Sequence, residues 1–270
     1  MAARLSHRVL LTGATGLIGG WVRREWPSDG SVVIPVGSAQ GDLLQPGGPE
    51  RLVTRERPTH VVHLAWSASG TPGYRSSTDN AAWYQASVRL VEAARSAGAQ
   101  CWLTGSVVDA ADPAGNDLDP YTLHKAMLRR TFAADIDAGE VGWFRPAYVV
   151  DGSIGRPALV AEALAAARAG RAVALRTPSD RHDFVHAADV ARAMVTAVTA
   201  DLTGLLAVGS GRSRTVSELV EALGARWSAV AAERTEHHSV ELADIEWLTA
   251  RGWRPRYTDM LFGTRRGLVE

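Results

Sequence analysis

Tyr121-Thr122-Leu123-His124-Lys125 sets a phenol and an ammonium four residues apart, hence on one face of a helix. A tyrosine hydroxyl ordinarily ionises near pH ~10 and exchanges protons poorly at neutrality. A neighbouring ammonium favours phenolate and is expected to lower that value, which makes the pair an acid/base device. Composition singles out the same position: of 29 basic residues only Lys125 is lysine, and arginine supplies the other 28. A chain that otherwise uses arginine for positive charge keeps an amine here, where a planar guanidinium is no substitute. Ser106, in Leu103-Thr104-Gly105-Ser106, follows an apolar run that reads as a strand, and its hydroxyl would polarise a carbonyl beside Tyr121.

Gly13, Gly16 and Gly19 recur three apart between a short apolar strand, Arg8 to Leu11, and a helical pattern through Trp21, Val22 and Trp26. Glycine lets the backbone turn sharply and approach a pyrophosphate, whose charge is met by backbone N–H groups and the positive helix end. In a strand–turn–helix–strand unit this spacing points to a bound dinucleotide. The second strand, Ser31 to Val36, runs into Gly37-Ser38 without a carboxylate to grip the adenosine ribose of NAD. A 2′-phosphate would not be repelled there, so NADP(H) is expected to be favoured over NAD(H). Asp42 follows in Gly41-Asp42-Leu43 and is expected to accept a hydrogen bond from the adenine amine.

These residues need a frame. Arg51 to Arg57 reads as a helix closed by Pro58, His60 to Ala65 as a strand, and Asn80 to Ala97 as a long helix ended by Gly98. Gln100 to Thr104 is a strand, Tyr121 to Ala138 a helix and Val141 to Phe144 a strand. The alternation predicts an α/β fold with a parallel sheet and helices on both faces. Beyond Arg145-Pro146 the pattern loosens into a helix over Pro157 to Ala169 and a strand over Ala172 to Leu175. A strand and helix over Asp183 to Val198, a strand at Leu205 to Val208 and a helix-opening Thr215-x-x-Glu218 complete it. We expect residues 1–150, joined by 183–208, to bind the dinucleotide, with 151–182 and 209–270 forming a smaller lobe.

The chain has 270 residues and a formal net charge of +0, with no basic tract to track phosphates, which argues against nucleic acid as a partner. No apolar run approaches the ~18 residues of a membrane helix, and Met1 to Leu11 lacks the pattern of a secretory leader. A lone Cys101 agrees with a reducing compartment, so a cytoplasmic protein is expected. His237-His238, beside Glu236 and Glu241, are adjacent residues that would not converge on one ion, and no metal is expected.

The chain resembles the extended short-chain dehydrogenases/reductases of the nucleotide-sugar epimerase, dehydratase and ketoreductase group. The resemblance is carried by Thr12-Gly13-Ala14-Thr15-Gly16-Leu17-Ile18-Gly19, His63-Leu64-Ala65, and Ser106 with Tyr121 and Lys125. Phe144-Arg145-Pro146, Asp183-Phe184-Val185-His186 with Asp189, and Gly209-Ser210-Gly211-Arg212 extend it over nearly the whole chain. It implies a Rossmann-like doubly wound sheet with a small C-terminal substrate lobe, a nicotinamide cofactor and a nucleotide-sugar substrate. Ser106, Tyr121 and Lys125 would be catalytic. Cofactor contacts would come from Gly13, Thr15, Gly16, Leu17, Ile18, Gly19, Ser38, Asp42, Leu43, Leu64, Ala65, Thr104 and Pro146, besides Tyr121 and Lys125. Substrate would meet Trp66, Ser106, Tyr148, Arg176, Arg181 and Arg212. The helices Asn80 to Ala97 and Tyr121 to Ala138 resemble those that form a four-helix homodimer interface.

Departures from the group narrow the reaction. Dehydratases carry Asp-Glu directly after the catalytic hydroxyl, whereas this chain has Val107-Val108, which cannot transfer a proton. Tyr148 stands where many relatives have asparagine, and His182 where arginine is usual. The leading expectation is NADPH-dependent reduction of a keto group, at C4, on a nucleotide-activated deoxysugar, with Tyr121 as proton donor. An NAD-dependent epimerase is the alternative. A non-catalytic dinucleotide sensor is a further one, against which retention of Ser106, Tyr121 and Lys125 argues.

Overall fold

The computed structural model describes residues 7–68, 73–115, 117–152, 158–230 and 242–263. The chain opens β1 (Arg8–Thr12), α1 (Leu17–Glu25), β2 (Val32–Val36), α2 (Gly48–Glu56), β3 (His60–His63), α3 (Asp79–Ser96) and β4 (Gln100–Thr104). After a short 3-10 turn, Val107–Ala110, come α4 (Pro120–Thr131), α5 (Ala133–Asp137), β5 (Val141–Pro146), β6 (Tyr148–Val150), α6 (Ala158–Ala169) and β7 (Ala172–Leu175). It closes with β8 (Arg181–His186), α7 (Ala187–Thr199), β9 (Gly204–Val208), β10 (Ser213–Thr215), α8 (Val216–Ala222), β11 (Arg226–Ala229), α9 (Glu246–Thr249) and α10 (Arg256–Gly263).

Six strands form one sheet in the order β2-β1-β3-β4-β5-β9. β1 and β4 are short, mainly apolar runs and β3 is His-Val-Val-His; all three are largely buried, as central strands covered by helices must be. The parallel register pairs Thr12 with both Val36 and His63, and Thr104 with Phe144. The loops that follow β1 to β5 therefore leave along one carboxyl edge, the edge at which open α/β sheets bind ligands. α3 buries Ala86, Leu90, Val91 and Ala94 in a core shared with Leu10, Val61, Leu103 and Trp143. This is the doubly wound α/β architecture expected from the alternation of elements.

The chain divides into two compact units, Met1–Arg145 with Met194–Leu206, and Pro146–Ala193 with Ala207–Glu270. The second contains a sheet ordered β10-β8-β6 and the pair β11-β7 around Val160, Leu175, Phe184 and Leu219. Two buried aspartates organise it. Asp183 accepts from Ser210 N at 2.7 Å, Ser210 Oγ at 2.6 Å and Gly211 N at 3.0 Å. Asp189 accepts from Thr258 N at 2.7 Å and Thr258 Oγ1 at 2.8 Å.

The expected helix from Tyr121 to Ala138 breaks at Phe132 (φ −102°, ψ 15°), whose buried ring joins the same core as Ile136. Burying an aromatic ring outweighs continuing the ladder here. Among the described residues no helix is long and apolar enough to cross a membrane.

A buried histidine fastens β1, β3 and α3 together. His63 Nδ1 lies 2.7 Å from Thr12 Oγ1, and Nε2 lies 2.8 Å from Ser87 Oγ. The Ser87 hydroxyl spends its proton on Trp83 O at 2.7 Å, so it accepts from Nε2–H, and Nδ1 accepts from Thr12. Burial, reinforced by Lys125, pushes His63 down to about 3. Between pH ~6.5 and about 3 the unfolded chain holds a proton that the folded chain refuses, so stability falls as pH falls through that window. Urea midpoints of wild type should drop more steeply from neutrality to acid than those of His63→Gln; parallel curves would contradict the assignment.

Candidate active site

The glycine turn is built without room for side chains. Gly13 has φ +70°, and a Cβ there would lie 2.7 Å from Ala65 N and from Leu64 C. The loop after β3 thus closes on the turn after β1, bringing Leu64 and Ala65 to it. At Gly19 a Cβ would lie 2.2 Å from Gly13 O. Gly16 caps α1, whose first turn holds no acidic residue, and Thr15 is exposed. The open backbone of a nine-residue helix start is a cradle that fits a pyrophosphate.

Exposed Ser38 follows β2 with no carboxylate beside it. Asp42 is exposed, but its carboxylate already accepts from Leu44 N at 3.0 Å and Gln45 Nε2 at 3.2 Å, which makes it a loop cap as well. Leu43 turns its side chain into the core. The Thr104 hydroxyl ends β4 buried, with no hydrogen-bond partner among the described residues. Pro146 closes β5.

Asp119 caps α4, accepting from Thr122 N at 3.0 Å, while Arg75 pairs with Asp119 at 2.6 Å. That fixes the helix phase and turns Tyr121 and Lys125 inward, at 8% and 5% exposure. Lys125 Nζ donates to Thr104 O at 2.9 Å and lies 3.9 Å from the centroid of the Trp66 ring. Trp66 is itself pinned, its indole N–H donating to Asn80 Oδ1 at 2.8 Å, and its ring stands perpendicular to that of Tyr121 with centroids 6.5 Å apart. The indole therefore faces the Lys125 amine, where a cation–π contact offsets part of its desolvation.

Burial, opposed by Asp109, lowers Lys125 to about 7. Burial likewise pushes Tyr121 up to about 12, against a hydrogen bond from Ser106 that favours phenolate. The expectation that Lys125 draws the phenol down is not met in this structure. Nζ is 6.0 Å from the Tyr121 ring centroid, and loss of water dominates both groups.

Asp109 was not anticipated. It lies just beyond Val107-Val108 and accepts the Ser106 backbone N–H at 3.0 Å. The signal was present as Ser106-x-x-Asp109, a capping-box spacing that opens the 3-10 turn.

In the second unit, exposed Tyr148 packs against His182 with ring centroids 4.2 Å apart, so the two positions that depart from the resembling group are neighbours. Arg181 is exposed and donates to Ser213 Oγ at 2.9 Å; Arg212 is exposed and pairs with Asp259 at 3.0 Å. Arg176 is exposed on the turn after β7. His237, His238, Glu236 and Glu241 lie outside the described residues. In the first unit His7, His60 and Asp201 bring possible metal-ligand atoms within 4.8 Å of one another. The His7 and His60 rings stack at 4.1 Å and 18°, so their in-plane lone pairs run side by side rather than converge.

Gly19→Ala, which forces a methyl onto Gly13 O, should weaken dinucleotide binding by roughly tenfold or more in a fluorescence titration, about 1.4 kcal/mol. Unchanged affinity would remove the turn from the site.

A family model described as "NAD dependent epimerase/dehydratase family" matches residues 9–206. A probable GDP-L-fucose synthase of Drosophila melanogaster is 37% identical over 67 residues, 23% of this chain and 21% of that protein's length. Among solved structures, UDP-glucose 4-epimerase of Thermus thermophilus, in complex with NAD, is 24% identical with a TM-score of 0.70, over 92% of this chain and 94% of that one. GDP-mannoheptose C4 reductase of Campylobacter jejuni, with NADP bound, is 15% identical with a TM-score of 0.70, over 93% of each chain. With the glycine cradle, Ser106, Tyr121 and Lys125 on one sheet edge and most of its length matched, the chain belongs to the NAD dependent epimerase/dehydratase family.

Proposed function

We propose that the protein reduces a keto group, at C4, on a nucleotide-activated deoxysugar at the expense of NADPH. The observation that carries this reading is the enclosure of Tyr121, which is 8% exposed. Burial holds the phenol neutral far above physiological pH, which suits a group that must give a proton and ill suits one that must begin by taking it. When bound, the reduced nicotinamide supplies the hydride. Tyr121 then protonates the developing alkoxide, while the Ser106 hydroxyl polarises the same oxygen. Lys125, with one N–H on Thr104 O and its charge against Trp66, keeps donors for a cofactor ribose. The lack of a carboxylate after Val36 supports NADP(H) over NAD(H). That one structural neighbour is a C4 reductase with NADP bound agrees with the choice. The reading includes a cytoplasmic enzyme that needs no metal. It pairs two copies through α3 and α4.

Tyr121→Phe keeps the ring and removes the proton, so kcat should fall on the order of 10²–10⁴-fold with cofactor affinity nearly intact. Lys125→Arg should lose both turnover and cofactor affinity. The reaction itself is tested with NADPH and a panel of nucleotide-linked 4-keto-6-deoxysugars, following NADPH absorbance and the product by NMR. Consumption of NADPH with one keto sugar is expected. Inversion of a hydroxyl sugar with no net change in cofactor would make the protein an epimerase instead.

A further inference from the structure

Asp109 is a charged side chain beside Tyr121 and Lys125 that the reaction just outlined does not use. It is 1% exposed. Its Oδ2 accepts from Ser106 N at 3.0 Å and from Trp143 Nε1 at 2.9 Å. Its Oδ1 faces Arg145 Nε at 3.1 Å, with Arg129 Nε at 3.9 Å. Gly105 leaves space for this arrangement: a Cβ there would lie 2.0 Å from Asp109 Oδ2 and 2.4 Å from Trp143 Nε1. Taking a carboxylate out of water is costly even after relaxation, and a packed apolar side chain would fill the space without that cost. The charge is kept at the turn that carries Ser106, whose hydroxyl acts on the Tyr121 phenol.

We propose that Asp109 is a positioning residue, whose carboxylate, anchored by Trp143 and Arg145, fixes the backbone of Ser106 so that the serine hydroxyl stays against the Tyr121 phenol. With Oδ2 holding two donors, Oδ1 facing two guanidinium groups and the residue closed to solvent, Asp109 does not exchange protons with substrate. Its charge has a second effect at short range. It disfavours phenolate at Tyr121, which also faces Tyr74 and Arg75, and favours the ammonium at Lys125. The kinetic role rests on Tyr121 as the proton donor of the proposed reduction; the contact between Ser106 and Tyr121 does not.

The test uses the full chain labelled with tyrosine carrying 13C at the phenol carbon, with the Tyr121 resonance assigned by its loss in Tyr121→Phe. Ser106→Ala should move that resonance, and Asp109→Asn should move it the same way at neutral pH without any substrate. A wild-type position in folded Asp109→Asn overturns the proposal whatever the reaction proves to be. With the keto sugar that turns over, Asp109→Asn should lower kcat by roughly tenfold to a hundredfold, the range a small displacement of a reacting group produces, with KM for NADPH little changed. In the Ser106→Ala background the same substitution should cost little more, and a full multiplicative loss there would overturn action through Ser106. Should Asp109→Asn not fold, Trp143→Phe removes one anchor while keeping the charge, and both measurements apply to it with the same two outcomes. If no keto sugar consumes NADPH even with wild type, the proposed reaction fails while the resonance still decides the role of Asp109.

Discussion

Removing one amine from water is the constraint on which the site depends. Lys125 is enclosed, and an ammonium without partners in such a place would be costly. The chain meets it with a strand-end carbonyl, Thr104 O, and an indole face, Trp66. Each partner imposes a further requirement. β4 must end where its last carbonyl is not consumed by the sheet, Asn80 must hold the indole edge, and Asp119 with Arg75 must start α4 in the phase that points Lys125 inward. The glycine turn, the loop after β3 and the 3-10 turn after β4 are then brought to the same edge by the parallel register.

The same dryness sets the chemistry. It lowers the amine and raises the phenol, so both groups are pressed towards their neutral forms. A neutral phenol with a serine hydroxyl on it is a proton donor in waiting. The proposed reduction calls for such a donor, whereas an epimerase using the same three side chains would first have to take the proton from it. The buried His63 extends the pattern below the site, neutral and spanning β1, β3 and α3.

What was legible in the sequence was the part written in short-range patterns. Apolar runs ending in glycine marked β1 and β4, and the Tyr121–Lys125 spacing survived because residues four apart on a helix share a face. The break at Phe132 was hidden because helix propensity continues through it and only the distant core rewards the turn. β6, β10 and β11 are three or four residues long, too short for any period to register. Asp109 is hidden in the sequence because its partners Trp143 and Arg145 are remote from it along the chain. The direction of the Tyr121 shift is not written in the sequence, because proximity along a helix says nothing of how completely water is excluded.

The single lysine makes the central claim directly measurable. Protein grown with lysine carrying 13C at the ε carbon gives one side-chain resonance, from Lys125, which can be followed against pH without substrate or assignment. Burial between Thr104 and Trp66 requires a midpoint near 7. A midpoint near the ordinary 10.5 would mean that the amine stands in water, and the site described here would be wrong.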